Sequence, residues 1–158
     1  MSFAGLYTAH NFSFYAVPAA FAVAFAPHVY AMALYNKERA PGTQPWDGTA
    51  PKKNRDHVGE SKMSPYMQDR YLRAEAANDN GFVGLPFFAA AVVAGNVAGL
   101  PKATLNSLAA TYLVSRVVFT YLYVNGTTVA WGHARSLSWL AGIISCCTLF
   151  VKAGNRYF

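Results

Sequence analysis

The chain has little charge. Asp, Glu, Lys and Arg make up 13% of its 158 residues, whereas an ordinary soluble domain has about 25%. The scarcity is uneven, because all seven acidic residues lie between Glu38 and Asp79. Most of the remaining sequence consists of apolar runs of about 20 residues, the length that crosses a bilayer. This distribution excludes an ordinary soluble fold and predicts a polytopic membrane protein.

Cysteine is also scarce, since Cys146 and Cys147 are the only two and they are adjacent. Neighbouring cysteines rarely form a disulfide with each other, so we expect both to act as small buried apolar side chains. The net charge of +6 does not form a basic patch, because the bases outside the polar segment are isolated residues. The sequence therefore argues against nucleic-acid binding, and it predicts no metal site.

Four apolar segments predict an all-α membrane protein, a bundle of four transmembrane helices in a single domain over residues 1–158. The helices are expected at about 12–35, 65–99, 104–124 and 136–152, with a polar loop at 36–63. Ser64 and Pro65 are typical of a helix start, with serine as the N-cap and proline at the first helical position. The loop has several prolines and glycines and no hydrophobic period, so an irregular, solvated linker is expected.

The distribution of basic residues predicts the orientation of the bundle. Four crossings place both termini on one side of the membrane, together with Lys102, Lys152 and Arg156. The loop at 36–63 carries more Lys and Arg than that side does. By the positive-inside rule, the loop is therefore cytosolic and the termini are lumenal.

The start of the second helix, RYLRAEAANDNGFVGLP, carries polar residues at the edge of an apolar run. Arg73 and Asn80 are seven residues apart, so they share one face of a helix. Asp69 lies four residues before Arg73, a spacing that favours contact between the two. A cation and an amide beside a membrane-depth segment are costly unless a polar group meets them. We therefore predict that this stretch forms the floor of a binding site.

The third helix carries a polar stripe along an otherwise apolar surface. Its members are Tyr112, Arg116, Thr120 and Tyr123. An arginine within a span should face the bundle and pair with a carboxylate or with backbone carbonyls. Two interpretations of Arg116 remain open at this point: a structural ion pair with Glu75 or Asp79, or a clamp for an anionic ligand.

The fourth helix is expected to open with Arg135 and Ser136, one turn before Trp139. An arginine at the mouth of a bundle can be a membrane-interface anchor. Beside Ser136 and near two other arginine-bearing helices, it can instead hold a thiolate.

Three pieces of the sequence carry a resemblance that extends over nearly the whole chain as a pattern of four helices. They are RAEAANDNGFVGLPFF in the second helix, YLVSRVVFTYLY in the third, and Arg135-Ser136 followed by the aromatic Trp139. Together they resemble the MAPEG family, the membrane-associated proteins of eicosanoid and glutathione metabolism.

The resemblance implies a homotrimer that binds glutathione between neighbouring subunits, near the cytosolic face. Carried over residue by residue, the glutathione-binding positions are Arg73, Asn80, Arg116 and Tyr123. Arg135 and Ser136 would be the catalytic pair that stabilises the glutathione thiolate. A hydrophobic small-molecule substrate would arrive from the lipid bilayer, either of the endoplasmic reticulum or, as an alternative, of the mitochondrial outer membrane.

Two positions depart from the family pattern. Where the family has a Glu three residues after the Asn, this chain has Val83, which cannot accept a hydrogen bond from the ammonium of glutathione. Loss of that partner costs roughly 1–3 kcal/mol, or about ten- to a hundredfold in affinity. Asp79 lies off the face of Arg73 and is not expected to substitute. Phe119 stands where one eicosanoid-synthesising branch has a His, so nothing supports a prostaglandin or leukotriene assignment.

Two functions follow from these observations. One is a membrane-bound glutathione transferase or peroxidase that acts on hydrophobic electrophiles, which the set of arginines favours. The other is a protein of the same fold without thiol chemistry, serving as a membrane scaffold, lipid-binding protein or complex subunit, which Val83 favours. A channel or transporter is disfavoured, because the spans contain a single arginine, no acidic residue and no paired half-helices.

Overall fold

The computed structural model describes residues 10–157, and four long helices account for most of them. They are α1 at Ser13–Glu38, α2 at Pro65–Val97, α3 at Lys102–Asn125 and α4 at Val129–Gly154. Each helix is long and apolar enough to cross a bilayer. The described residues contain no strand, so the prediction of an all-α bundle with four transmembrane helices is confirmed. Residues 1–9 and 158 of the predicted domain lie outside the described residues.

The predicted start of α2 is confirmed. The Oγ of Ser64 accepts a hydrogen bond from the backbone N–H of Met67 at 3.4 Å, as an N-cap does. Pro65 occupies the first helical position, where the missing N–H would have no helical partner in any case.

The fourth helix begins at Val129, well before the start expected at Ser136. The reason is the tight turn at Gly126, where a Cβ would lie 2.5 Å from the carbonyl oxygen of Leu122 and 2.9 Å from the Cβ of Trp131. Only glycine allows the chain to turn this closely, and the polar residues that follow continue as helix instead of loop. Ser136 consequently lies inside α4 and not at its opening.

The four helices pack unequally. α1 packs mainly against α2, and α3 packs mainly against α4, while α2 and α3 meet across the middle. One apolar cluster surrounds the stacked rings of Phe88 and Tyr112, whose centroids are 3.8 Å apart. A second cluster surrounds Tyr71 near the connection 39–64. We call this end of the bundle the loop end, because the α1–α2 and α3–α4 connections both lie there.

The two cysteines differ from the prediction that both are buried. Cys146 is fully buried in the first cluster, whereas Cys147 is exposed on the outer face of α4. Adjacent residues of a helix point about 100° apart, so one of the pair faces the core and the other faces outward.

Candidate functional site

Arg116 lies where α2, α3 and α4 meet, with only 4% of its surface exposed. Its Nη1 donates to Oδ1 of Asn80 at 3.2 Å, and its Nη2 donates to the carbonyl oxygen of Trp139 at 3.4 Å. The ring centroids of Tyr112 and Phe119 lie 5.1 Å and 5.4 Å from its Cζ, within the range of a cation–π contact. The structure thus joins two predicted site residues, Arg116 and Asn80.

Of the two interpretations of Arg116, the ion pair with Glu75 or Asp79 is wrong. Both carboxylates bind Arg55 of the connecting loop, whose Nη2 lies 2.7 Å from Oε2 of Glu75 and 3.0 Å from Oδ1 of Asp79. The Nδ1 of His28 lies 2.9 Å from Oε1 of Glu75. We call Arg55, Glu75, Asp79 and His28 the clasp, because they fasten the loop to α2 and α1.

The clasp also corrects the prediction of a solvated linker. Two short helical turns, Lys53–Asp56 and Val58–Ser61, fold the loop back and bring Arg55 onto α2. The hydrogen bond to Asp79, more than any other contact, raises the pKa of the Arg55 guanidinium, although partial burial opposes the rise. Glu75 is 4% exposed, so burial of its side chain is costly without these partners. The signal in the sequence was a pair of acids four apart on α2, which required a cation from elsewhere in the chain.

Arg135 and Tyr123 lie against each other, with the Cζ of Arg135 4.3 Å from the ring centroid of Tyr123. The ring of Phe119 meets that of Tyr123 edge to face at 5.4 Å. A column of contacts therefore runs from Arg116 through Phe119 and Tyr123 to Arg135, and we call these four residues the ladder. Within residues 10–157, the Arg135 guanidinium has no hydrogen bond and no ion pair. It is held by a ring, and its five N–H donors are not used within the described residues.

Arg73 lies at the loop end, outside the ladder. It pairs with Asp69, as their spacing on α2 predicts, and its Nε donates to the carbonyl oxygen of Val124 at 3.1 Å. Its Nη2 is buried and has no partner among the described residues. Arg73 therefore binds the end of α3 next to Tyr123, and its Nη2 group remains without a partner.

The remaining two positions singled out in the sequence, Ser136 and Val83, are exposed. The Oγ of Ser136 is exposed and donates to the carbonyl oxygen of Gly132 at 3.1 Å, so the structure does not bring it to the Arg135 guanidinium. Val83, at the position of the family's Glu, is 80% exposed on α2. Neither residue belongs to the ladder.

The ladder, Arg73 and Asn80 together offer guanidinium and amide donors without a free carboxylate. Such a set favours an anionic ligand, and guanidinium groups match carboxylates with two parallel hydrogen bonds. Within the part of the chain that the structure describes, no group of three or more His, Cys, Asp and Glu side chains is arranged to hold a metal ion. The chemistry that these residues support directly is the binding of an anion.

A family model described as the MAPEG family matches residues 12–155, which include all four helices, the clasp and the ladder. No curated protein matches the chain, and no solved structure does.

Proposed function

The chain belongs to the MAPEG family, and we propose that it is a membrane-bound glutathione transferase or peroxidase acting on hydrophobic electrophiles. The observation that carries this proposal is the Arg135 guanidinium, which is stacked on Tyr123 and has no anion within residues 10–157. A thiol becomes nucleophilic as its thiolate, and a nearby guanidinium favours that form. Arg135 would stabilise the thiolate. Ser136 would contribute after its hydroxyl leaves the Gly132 carbonyl.

The proposed glutathione site uses the remaining donors of this region. Glutathione has two carboxylates, which arginine side chains bind well. Buried donors without a partner, Nη2 of Arg73 and Nε of Arg116, are costly in the free protein. A bound carboxylate would satisfy the donor of Arg73, while Arg116 holds Asn80 in place and Tyr123 orients Arg135.

We place the site between the subunits of a homotrimer. The outer face of α2 supports this assembly. From the middle of the helix to its end, the exposed residues are Val83, Pro86, Phe87, Ala90, Val93 and Val97. All of them except Phe87 recur at alternating spacings of three and four, and we call these five residues the α2 stripe. A period of 3.5 residues is typical of a seam between packed helices, and the stripe has no partner within the described chain. A second and a third copy of α2 would cover it.

The test is a titration of the detergent-purified protein with glutathione, followed by thiolate absorbance and by conjugation of an aryl halide. We expect saturable thiolate formation, and a fall in conjugation of about a hundredfold in Arg135→Ala, the size seen when one stabilising donor is removed. Arg156→Ala is the matched control, because Arg156 is exposed at the opposite end of α4. Absence of saturable binding at millimolar glutathione would sink the proposal. Full activity in Arg135→Ala would show that Arg135 does not stabilise the thiolate.

A specific observation favours a second function, a membrane scaffold, lipid-binding protein or complex subunit without thiol chemistry. Val83 replaces the family's Glu with an exposed apolar residue. The two acids nearby on α2, Glu75 and Asp79, are already bound to Arg55 and cannot meet an ammonium group without breaking the clasp. The same titration separates the two functions, since a scaffold would form its oligomer and show no thiolate signal.

A further inference from the structure

An apolar cleft of about 380 Å³ opens between α1 and α3 near the loop end. Its walls are formed by Val23, Ala26 and Pro27 of α1 and by Val117 and Val124 of α3. No residue of the α2 stripe and none of the ladder lines it. The residues of the proposed oligomer face and those proposed to bind glutathione therefore lie outside the lining of the cleft. Its volume lies in the range of ligand-binding pockets.

Arg70 of α2 stands at the polar end of this cleft. Its Nη2 donates to Oδ1 of Asn125 at 2.7 Å, and its Cζ lies 5.5 Å from the ring centroid of Tyr30. Its Nε is buried without a hydrogen-bond partner, and no carboxylate of residues 10–157 pairs with it. A half-buried cation beside an apolar wall is costly unless an anion neutralises it.

We propose that the cleft binds one acyl chain of an anionic phospholipid, with the lipid phosphate on Arg70. Three features carry this assignment. The cleft is lined mainly by apolar side chains and carries the cation of Arg70 in its lining, which is the complement of an acyl chain joined to an anionic headgroup. A guanidinium binds phosphate with parallel hydrogen bonds. Tyr30 and Tyr121 line the same end, and tyrosines are typical of the level where headgroups lie.

Native mass spectrometry tests the charge contact. The protein is released from nanodiscs that contain phosphatidylglycerol and phosphatidylcholine in equal amounts, and the retained lipid is identified. We expect the wild type to retain phosphatidylglycerol with a preference of about fivefold, and Arg70→Gln to lose that preference. Lys52→Gln removes the same charge from an exposed loop residue and should keep it. If both variants lost the preference for phosphatidylglycerol equally, the preference would come from the overall surface charge and not from Arg70, and the proposal would be overturned.

A second variant tests the cleft without changing charge. Ala26→Phe fills the cleft from an exposed position and should reduce retained phosphatidylglycerol, whereas Ala22→Phe, exposed on the same helix outside the cleft, should not. Unfolding midpoints that match the wild type show that both variants are folded, so this arm remains decisive where Arg70→Gln does not fold. Unchanged retention in Ala26→Phe overturns the proposal. Retention of added oleate in place of phosphatidylglycerol would identify a fatty acid as the occupant and also overturn it.

Discussion

The clasp and the ladder both hold arginines inside the bundle, but the guanidinium groups have different kinds of partner in the two. In the clasp, Arg55 faces two carboxylates, and His28 binds the remaining oxygen of Glu75. In the ladder, Arg116 and Arg135 face aromatic rings, and neither meets a carboxylate within residues 10–157. A paired guanidinium has its charge satisfied and fixes the fold, whereas a guanidinium held by rings is oriented and still attracts an anion. The difference separates an arginine that fastens a loop from arginines whose charge no carboxylate of residues 10–157 neutralises.

The largest expected effect comes from breaking the clasp at Glu75. Glu75→Gln keeps the volume but removes the buried charge that Arg55 and His28 share. We expect a loss of about 2–3 kcal/mol in the free energy of unfolding, because a partly buried cation loses its most buried partner. Unfolding of the protein in mixed micelles with increasing denaturing detergent measures this loss.

Asp79→Asn is the control for Glu75→Gln. The Asp79 bond contributes most to the raised pKa of Arg55, yet the Asp79 side chain is 56% exposed and solvent screens its interaction. We therefore expect a loss below about 1 kcal/mol. Equal losses in the two variants would show that the clasp is not organised around its buried carboxylate.

The next effect comes from restoring the carboxylate of the family pattern on α2. Val83 is 80% exposed in the single chain, so the fold of the subunit should tolerate Val83→Glu. In the proposed trimer this position lies at the seam between subunits, so the oligomeric state of the variant is measured beside its glutathione binding. We expect glutathione to bind about tenfold more tightly, because the new carboxylate can meet its ammonium group. The thiolate titration measures the gain, and Val83→Gln is the uncharged control. No gain in Val83→Glu would mean that this position does not face the bound ammonium.

A smaller effect tests how tightly Arg116 is held. A Cβ at Gly142 would lie 2.6 Å from the Oγ of Ser115 and 3.1 Å from Nη2 of Arg116. Gly142→Ala should therefore cost about 1 kcal/mol of stability, since side chains around the guanidinium must shift. Gly132→Ala on the same helix meets no atom within 4 Å and should stabilise the protein by a few tenths of a kcal/mol or more. Stabilisation by both substitutions would show that Arg116 is free to move.

The features that the sequence predicted correctly are local. The length of the apolar segments is enough to locate four transmembrane helices. Ser64 followed by Pro65 marks the start of α2, because both capping effects act within one helical turn. The contact between Asp69 and Arg73 is equally local, since residues four apart lie on one helix face. In each case the interacting groups are neighbours in the chain.

The features that the sequence did not predict depend on distant contacts. Arg55 comes from a loop that composition alone marks as solvated, and only the folded turns of that loop carry it to Glu75. Because Arg55 binds both Glu75 and Asp79, these acids are not the partners of Arg116. Missing this one contact therefore affected the interpretation of the loop and of Arg116. The early start of α4 likewise depends on the close approach of Trp131 to Gly126.

The smallest effect is the most direct test of the ladder. Tyr123→Leu removes the ring on which Arg135 is stacked, whereas Tyr123→Phe keeps the ring and removes only the hydroxyl. A cation–π contact at a partly exposed site is worth about 0.5–1 kcal/mol, so thiolate formation should fall about two- to fivefold in the leucine variant and stay close to wild type in the phenylalanine variant. The thiolate titration, with unfolding midpoints as a check on the fold, distinguishes the two. A larger loss in Tyr123→Phe than in Tyr123→Leu would mean that the hydroxyl binds the ligand, and that the ring does not orient Arg135.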